Sequence, residues 1–143
     1  MKIFQFLFLA FLILASCQSQ DKSKTLTTAE TGSKIKVIDF YTTHRCKTCL
    51  KIEDNTKKLL QTEFKKEMDA GTLSFETINV DEESNYKIAE RFEAGGTALF
   101  INVIKDGTEH HIDLTDFAFM KAFDEAEFNS ELKAKIDEQL KTL

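Results

Sequence analysis

Val37-Ile38-Asp39-Phe40-Tyr41-Thr42-Thr43-His44-Arg45-Cys46-Lys47-Thr48-Cys49 is the stretch that decides the fold. Its first five residues, with Ile35 just before them, place apolar side chains on both alternating faces. That is the pattern of a central strand covered on each side. Thr42 to Arg45 break it. From about Lys47 the apolar period changes from two to that of a helix. Cys49, Ile52, Thr56, Leu59, Leu60, Phe64 and Met68 recur at steps of three, four or one, and charged residues fill the other face. A strand therefore runs through a short loop into a helix, with two cysteines at the junction.

Working outward toward the C-terminus, Gly71 is placed to end this helix in a left-handed conformation. Leu73 to Val80 alternate as a second strand. Asp81 opens a polar turn and is a candidate cap for the next helix, with Ser84 as the competitor. Tyr86, Ile88, Ala89 and Phe92 mark that helix. Gly95-Gly96 opens a third strand, Thr97 to Lys105. Asp106-Gly107 is the strongest hairpin signal in the chain, and a return strand follows over Thr108 to about Leu114. The remainder reads as helical. Phe128, Leu132, Ile136 and Leu140 form an i, i+4 stripe that would close over the sheet. Phe117, Phe119, Met120 and Phe123 are expected in the core beneath it. The order β-α-β-α-β-β-α is that of an α/β, three-layer fold with a mixed central sheet. Linking helices predict parallel pairing among the first three strands, and the hairpin adds an antiparallel edge.

The junction carries the chemistry. A helix N-terminus favours an anion through its free N–H groups and its dipole. A thiolate at Cys46 would be stabilised there, and His44, Arg45 and Lys47 add cationic surroundings that tune it the same way. Cys49 is one helical turn away and can attack a mixed disulfide formed at Cys46, so the spacing supplies a nucleophile and a resolving thiol. Cys-x-x-Cys also occurs in metal sites. From Lys34 onward the chain holds two cysteines, fewer than the four ligands of a closed zinc site. A soft metal or metalloid held by Cys46 and Cys49, with His44, stays open as an alternative, as does a structural disulfide. His110 and His111 read as a strand pair.

The N-terminus describes an export signal. Lys2 precedes an almost wholly apolar run from Ile3 to Ala15, too short for a permanent span of ~20 residues. Leu14-Ala15-Ser16-Cys17 follows and resembles the bacterial lipobox. That resemblance implies cleavage before Cys17 and acylation of its thiol, and two acyl chains anchor stably. Residues 1–16 are thus expected to be a lipoprotein signal peptide. Residues 17–33, rich in Ser, Thr, Lys and Gln, read as a lipid-anchored tether. Residues 34–143 form the folded domain. The sixteen residues from Gln18 to Ser33 reach roughly 50 Å at full extension and about 20–25 Å on average, which keeps the domain near the membrane. Net charge is −5 over 143 residues, so electrostatic binding to nucleic acid is not expected. Oligomeric state is not legible.

Val37 to Tyr41 followed by Cys46-x-x-Cys49, then Asn79-Val80-Asp81, the Tyr86–Phe92 helix and Gly96-Thr97-Ala98-Leu99, resemble the thioredoxin superfamily over about residues 34–140. His44-Arg45-Cys46-Lys47-Thr48-Cys49, with Ile78 to Glu82 and Leu99 to Asn102, is more narrowly similar to a group of bacterial lipoproteins. These carry the family label ArsF, nitrophenyl compound nitroreductase subunit. The chain has no Gly-rich dinucleotide fingerprint, so nitroreduction would place the cofactor on another protein.

The resemblance implies a membrane-anchored thiol-disulfide oxidoreductase in the cell envelope, acting on protein dithiols and disulfides without a dissociable cofactor. A metal-binding protein and a non-catalytic accessory subunit are its rivals. It also implies roles for residues. Asp39 matches the buried acid that takes the proton of the second Cys, on a loop one residue longer than usual. Gly96 and Thr97 match the substrate-docking loop, where the superfamily has a cis-proline; here no Pro exists and a trans bond is expected before Thr97. Lys-Thr between the cysteines and the basic approach predict a couple more oxidising than that of thioredoxin.

Overall fold

The computed structural model describes residues 32–143. The expected signal peptide, Cys17 and nearly all of the expected tether lie outside the described residues. The elements run β1 (Lys34–Tyr41), α1 (Lys47–Glu63), α2 (Lys65–Asp69), β2 (Leu73–Asn79), a 3₁₀ turn (Glu83–Asn85), α3 (Tyr86–Arg91), β3 (Ala98–Lys105), β4 (Thr108–Asp113), α4 (Thr115–Lys121) and α5 (Glu125–Leu140). The sheet order is β2-β1-β3-β4. β1 pairs parallel with β2, from Ile35 opposite Leu73 to Tyr41 opposite Asn79.

β3 corrects one expectation: it pairs antiparallel with β1, Phe40 lying opposite Ala98. The six residues of α3 rise about 9 Å, whereas the seven of β2 span about 23 Å, so the helix by itself does not carry the chain back to the far end of the sheet. β3 starts where β2 ends, beside the Cys46 loop. The Asp106-Gly107 hairpin forms as expected, both residues at positive φ (52° and 76°), and joins β3 to β4.

Two packed faces hold the sheet. On one, Ile35, Val37, Leu73, Leu99 and Ile101 meet Ile52, Leu59 and Leu60 of α1 and Phe128, Leu132 and Ile136 of α5. On the other, Ile38, Phe40, Ile78 and Phe100 meet Phe92 and Ala94. Phe40, Phe92 and Phe100 form a ring triangle with centroids 5.3–5.8 Å apart, worth about 0.5–1.5 kcal/mol per pair beyond area alone. His111 stacks on Phe92 at 3.8 Å.

Three local expectations change. The first helix divides at Phe64, whose buried ring is covered by Lys133. Neither Asp81 nor Ser84 caps α3; its Asn85 cap position makes no side-chain bond, and Asp81 faces the Cys46 loop instead. The Phe117–Phe123 cluster is only partly core. Ala118 and Ala122, four apart, turn inward from α4 and are fully buried. That leaves Phe119 and Met120 on the outside and Phe123 exposed in the turn to α5. Phe117 alone stacks on Phe128. Asp124 then accepts the Glu127 N–H and starts α5.

Phe128→Ala should therefore cost about 3–5 kcal/mol of unfolding free energy. Phe123→Ser, at 71 % exposure, should fall within about 0.5 kcal/mol of the parent. Urea titrations of both variants check the pair.

Candidate functional site

The site forms where β1 ends. Its loop is tied to the neighbouring strand rather than left to itself. The Val80 N–H donates to the Tyr41 carbonyl at 2.8 Å. The Thr43 N–H donates to Asp81 Oδ2 at 2.7 Å, and Asn79 Nδ2 donates to Thr43 Oγ1 at 3.2 Å. Asp81 is held below the usual carboxylate range, first by these Thr43 bonds and then by the nearby His44. Asn79-Val80-Asp81 is thus a clamp on the loop. The sequence reads only as a turn there, because the clamp joins residues far apart in the chain.

Cys46 occupies the N-cap of α1. Its Sγ accepts the Cys49 N–H at 3.1 Å, in the place usually filled by a Ser or Asp oxygen. No acidic residue lies in the first turn of α1 to oppose the dipole. Cys46 and Cys49 are joined as a disulfide with Cα atoms 5.1 Å apart. Cys46 is exposed, whereas Cys49 is 6 % exposed. An incoming sulfur can reach the first and not the second.

Beneath them Asp39 is fully buried. Arg45 Nη2 donates to Asp39 Oδ2 at 3.1 Å and lies 3.5 Å from the Cys49 carbonyl oxygen. Its Nη1 pairs with Glu53 Oε2, and the guanidinium lies 4.5 Å from the Tyr41 ring centroid. One cation therefore spans two carboxylates. Sequence reasoning does not single out Glu53, although it sits at i+4 from Cys49 and so on the same face of α1. Burial pushes the Asp39 carboxyl up from 3.8 to about 7. The Arg45 charge opposes that rise, the Glu53 charge adds to it, and the Arg45 hydrogen bond opposes it. Asp39 Oδ1 is buried with no hydrogen-bond partner among the described residues.

The remaining candidates fall around this centre. His44 and Lys47 are exposed at the rim. Arg45 is directed inward to the carboxylates. Gly96 and Thr97, half-buried, lead directly into Ala98 opposite Phe40, which sets them beside the start of the Cys46 loop. No described peptide bond is cis. No group of three or more His, Cys, Asp or Glu side chains is arranged to hold a metal among the described residues. No described helix is long and apolar enough to cross a membrane.

No family model and no curated protein matches the chain. Among solved structures it is similar to a thioredoxin from Thermus thermophilus, at 18 % identity and a TM-score of 0.50, covering 72 % of this chain and 74 % of that one. It also matches mitochondrial thioredoxin 3 of Saccharomyces cerevisiae at 26 % identity and a TM-score of 0.39, over 64 % of this chain and 77 % of that one. A malarial protein matches at 17 % identity and a TM-score of 0.39, over 62 % and 94 %. The fold is thioredoxin-like, and the Cys46–Cys49 pair stands at the head of its first helix.

Between about pH 4 and 7 the folded protein keeps a proton on Asp39 that the unfolded chain releases. The stability contributed by this neutral carboxyl is complete below pH 4 and lost as pH rises through about 7. Asp39→Asn cannot ionise. Its stability gain over the parent should grow from pH 4 to pH 8, toward about 4 kcal/mol, because each tenfold difference in proton affinity between folded and unfolded states is worth about 1.36 kcal/mol. Urea unfolding at pH 4, 6 and 8 measures it. A difference constant across that range contradicts the assignment.

Proposed function

We propose that this protein is a thiol-disulfide oxidoreductase held in the bacterial cell envelope by lipid on Cys17. The observation that carries the reading is the asymmetry of the pair: an exposed Cys46 at a helix cap and a buried Cys49 one turn behind it, above a buried acid.

In the reducing direction, the Cys46 thiolate attacks one sulfur of a substrate disulfide. A mixed disulfide forms and the other substrate sulfur leaves as thiolate. Asp39, ionised, takes the proton of Cys49. The Cys49 thiolate attacks Cys46 Sγ, the second substrate sulfur leaves as thiolate, and the Cys46–Cys49 disulfide remains. Two electrons pass from the dithiol to the substrate. Reduction of Cys46 turns its capping sulfur into an anion, and a charged acceptor strengthens the bond from the Cys49 N–H. That favours the reduced form and, with it, an oxidising couple. Gly96 and Thr97 would offer backbone to an extended substrate chain. The resemblance to the ArsF group extends the proposal to an electron-transfer role beside a nitroreductase whose cofactor another protein carries.

Cys46→Ala should abolish insulin reduction and disulfide exchange. Cys49→Ala should accumulate a mixed disulfide visible by mass spectrometry. Metal analysis of the reduced protein runs beside the assay: a stoichiometric soft metal with no turnover overturns the redox reading in favour of metal binding. For the anchor, Cys17→Ala should move the protein from the membrane to the soluble fraction and remove incorporation of labelled palmitate. Unchanged fractionation and labelling would refute lipidation.

A further inference from the structure

The feature that the exchange chemistry leaves unused is Glu53. Arg45 has one guanidinium and two claimants. Its Nη2 is 3.1 Å from buried Asp39, and its Nη1 is paired with Glu53, whose side chain is 27 % exposed. The same Nη2 lies near the Cys49 carbonyl, so the cation sits between the acid and the turn that carries the resolving sulfur. Arg45 and Glu53 are the charged groups that act on Asp39. The strand neighbours of Asp39, Thr77 on β2 and Leu99 on β3, carry no charge. On α1, the element packed over this face, Cys49 is the remaining titratable group toward it once the disulfide is reduced.

We propose that Glu53 is a positioning residue for the resolving step: by sharing Arg45 with Asp39, it withholds part of the guanidinium charge from the buried acid and so sets the pH at which Asp39 accepts the Cys49 proton. The proposal rests on the oxidoreductase reading above.

The physical argument is a competition. A buried carboxylate alone is costly. A buried carboxylate fully paired with Arg is a poor base, because the cation favours its charged form. Glu53 places Asp39 between these limits. With Glu53 ionised, the three groups sum to one negative charge, and a proton arriving from Cys49 neutralises the cluster. With Glu53 neutral, Arg45 already balances Asp39, and the arriving proton would leave a buried net positive charge. The second state is harder to reach. The unpartnered, buried Oδ1 of Asp39 leaves a lone pair to take that proton without breaking the Arg45 bond to Oδ2.

The two partners of Asp39 must then have opposite effects. Glu53→Gln leaves Arg45 to Asp39 alone and lowers the proton affinity of Asp39. Arg45→Gln removes the cation and raises it. A residue that merely props up the loop would not give shifts of opposite sign.

The experiment uses the reduced full-length chain in detergent, in a Cys17→Ser background so that only the dithiol reports. It is mixed with one equivalent of 5,5′-dithiobis(2-nitrobenzoate) in a stopped-flow instrument. Attack by Cys46 releases one thionitrobenzoate, and resolution by Cys49 releases the second. The pH profile of the second phase is the readout. Its midpoint should move down by about one pH unit in Glu53→Gln and up by about one in Arg45→Gln, the scale expected for gain or loss of a nearby opposite charge. Arg45→Lys should restore part of the second shift. Two phases with unmoved midpoints, or midpoints moving in the same direction, overturn the proposal and leave the oxidoreductase reading standing. A second phase absent from the parent, or persisting in Cys49→Ala, overturns that reading and takes the proposal with it. Glu53 is partly solvated, so Glu53→Gln preserves the fold and decides the matter alone if an Arg45 variant unfolds.

Discussion

A carboxyl group buried in the central strand constrains everything around it. Asp39 has no access to solvent, and an ion there without a partner would cost several kcal/mol. The chain meets that cost locally. Arg45 turns inward from the loop, lies over the Tyr41 ring and bonds Asp39 and Glu53. This fixes the path of residues 42–45 from below. The Asn79 and Asp81 side chains fix it from beside. With both ends of the loop determined, Cys46 has little choice but the N-cap of α1. The sulfur is therefore held at the dipole's positive end by the balance of charge beneath it, not by the helix alone.

That arrangement works against stability. Above neutral pH an ionised Asp39 weakens the fold, and Leu or Asn in its place would serve the core better. Active sites hold groups that the rest of the molecule must compensate. The compensation here is visible on both sheet faces. α1 and α5 cover one with a continuous apolar layer, and the Phe40–Phe92–Phe100 triangle covers the other immediately behind the site. Phe40 adjoins Asp39 in the strand and points away from it, so an aromatic cluster lies directly behind the least favourable charge.

How much of this was legible depends on the range of the interaction. Strand and helix periods need only near neighbours, and β1, α1 and the α5 stripe at Phe128, Leu132 and Ile136 lie where the spacing places them. The hairpin at Asp106-Gly107 is equally local. Strand direction at β3 is not local: the helix over Tyr86–Arg91 is readable, but whether the chain runs back along the sheet before β3 begins is decided by its pairing with β1. Phe119, Met120 and Phe123 read as core when hydrophobicity is counted without direction; two alanines take the inward positions instead. At the site, the Cys-x-x-Cys spacing and Asp39 are readable. The inward turn of Arg45 is not. A basic residue beside a cysteine reads first as a partner for the thiolate, and only the burial of Asp39 shows a stronger claim on it.

Arg45 therefore changes what the basic surround means. Two of its three basic residues, His44 and Lys47, stand at the rim in contact with solvent, where charge is screened and a thiolate gains little from it. The third is already committed to two carboxylates. The direct stabilisation of a Cys46 anion then falls mainly to the helix terminus: the Cys49 N–H on Sγ and an unopposed dipole. The cationic character read from His44-Arg45-Cys46-Lys47 acts chiefly one layer down, on the acid rather than on the nucleophile. In the proposed exchange, attack at Cys46 and proton transfer from Cys49 would in consequence be tuned by separate groups, so either step could change through substitution without the other following.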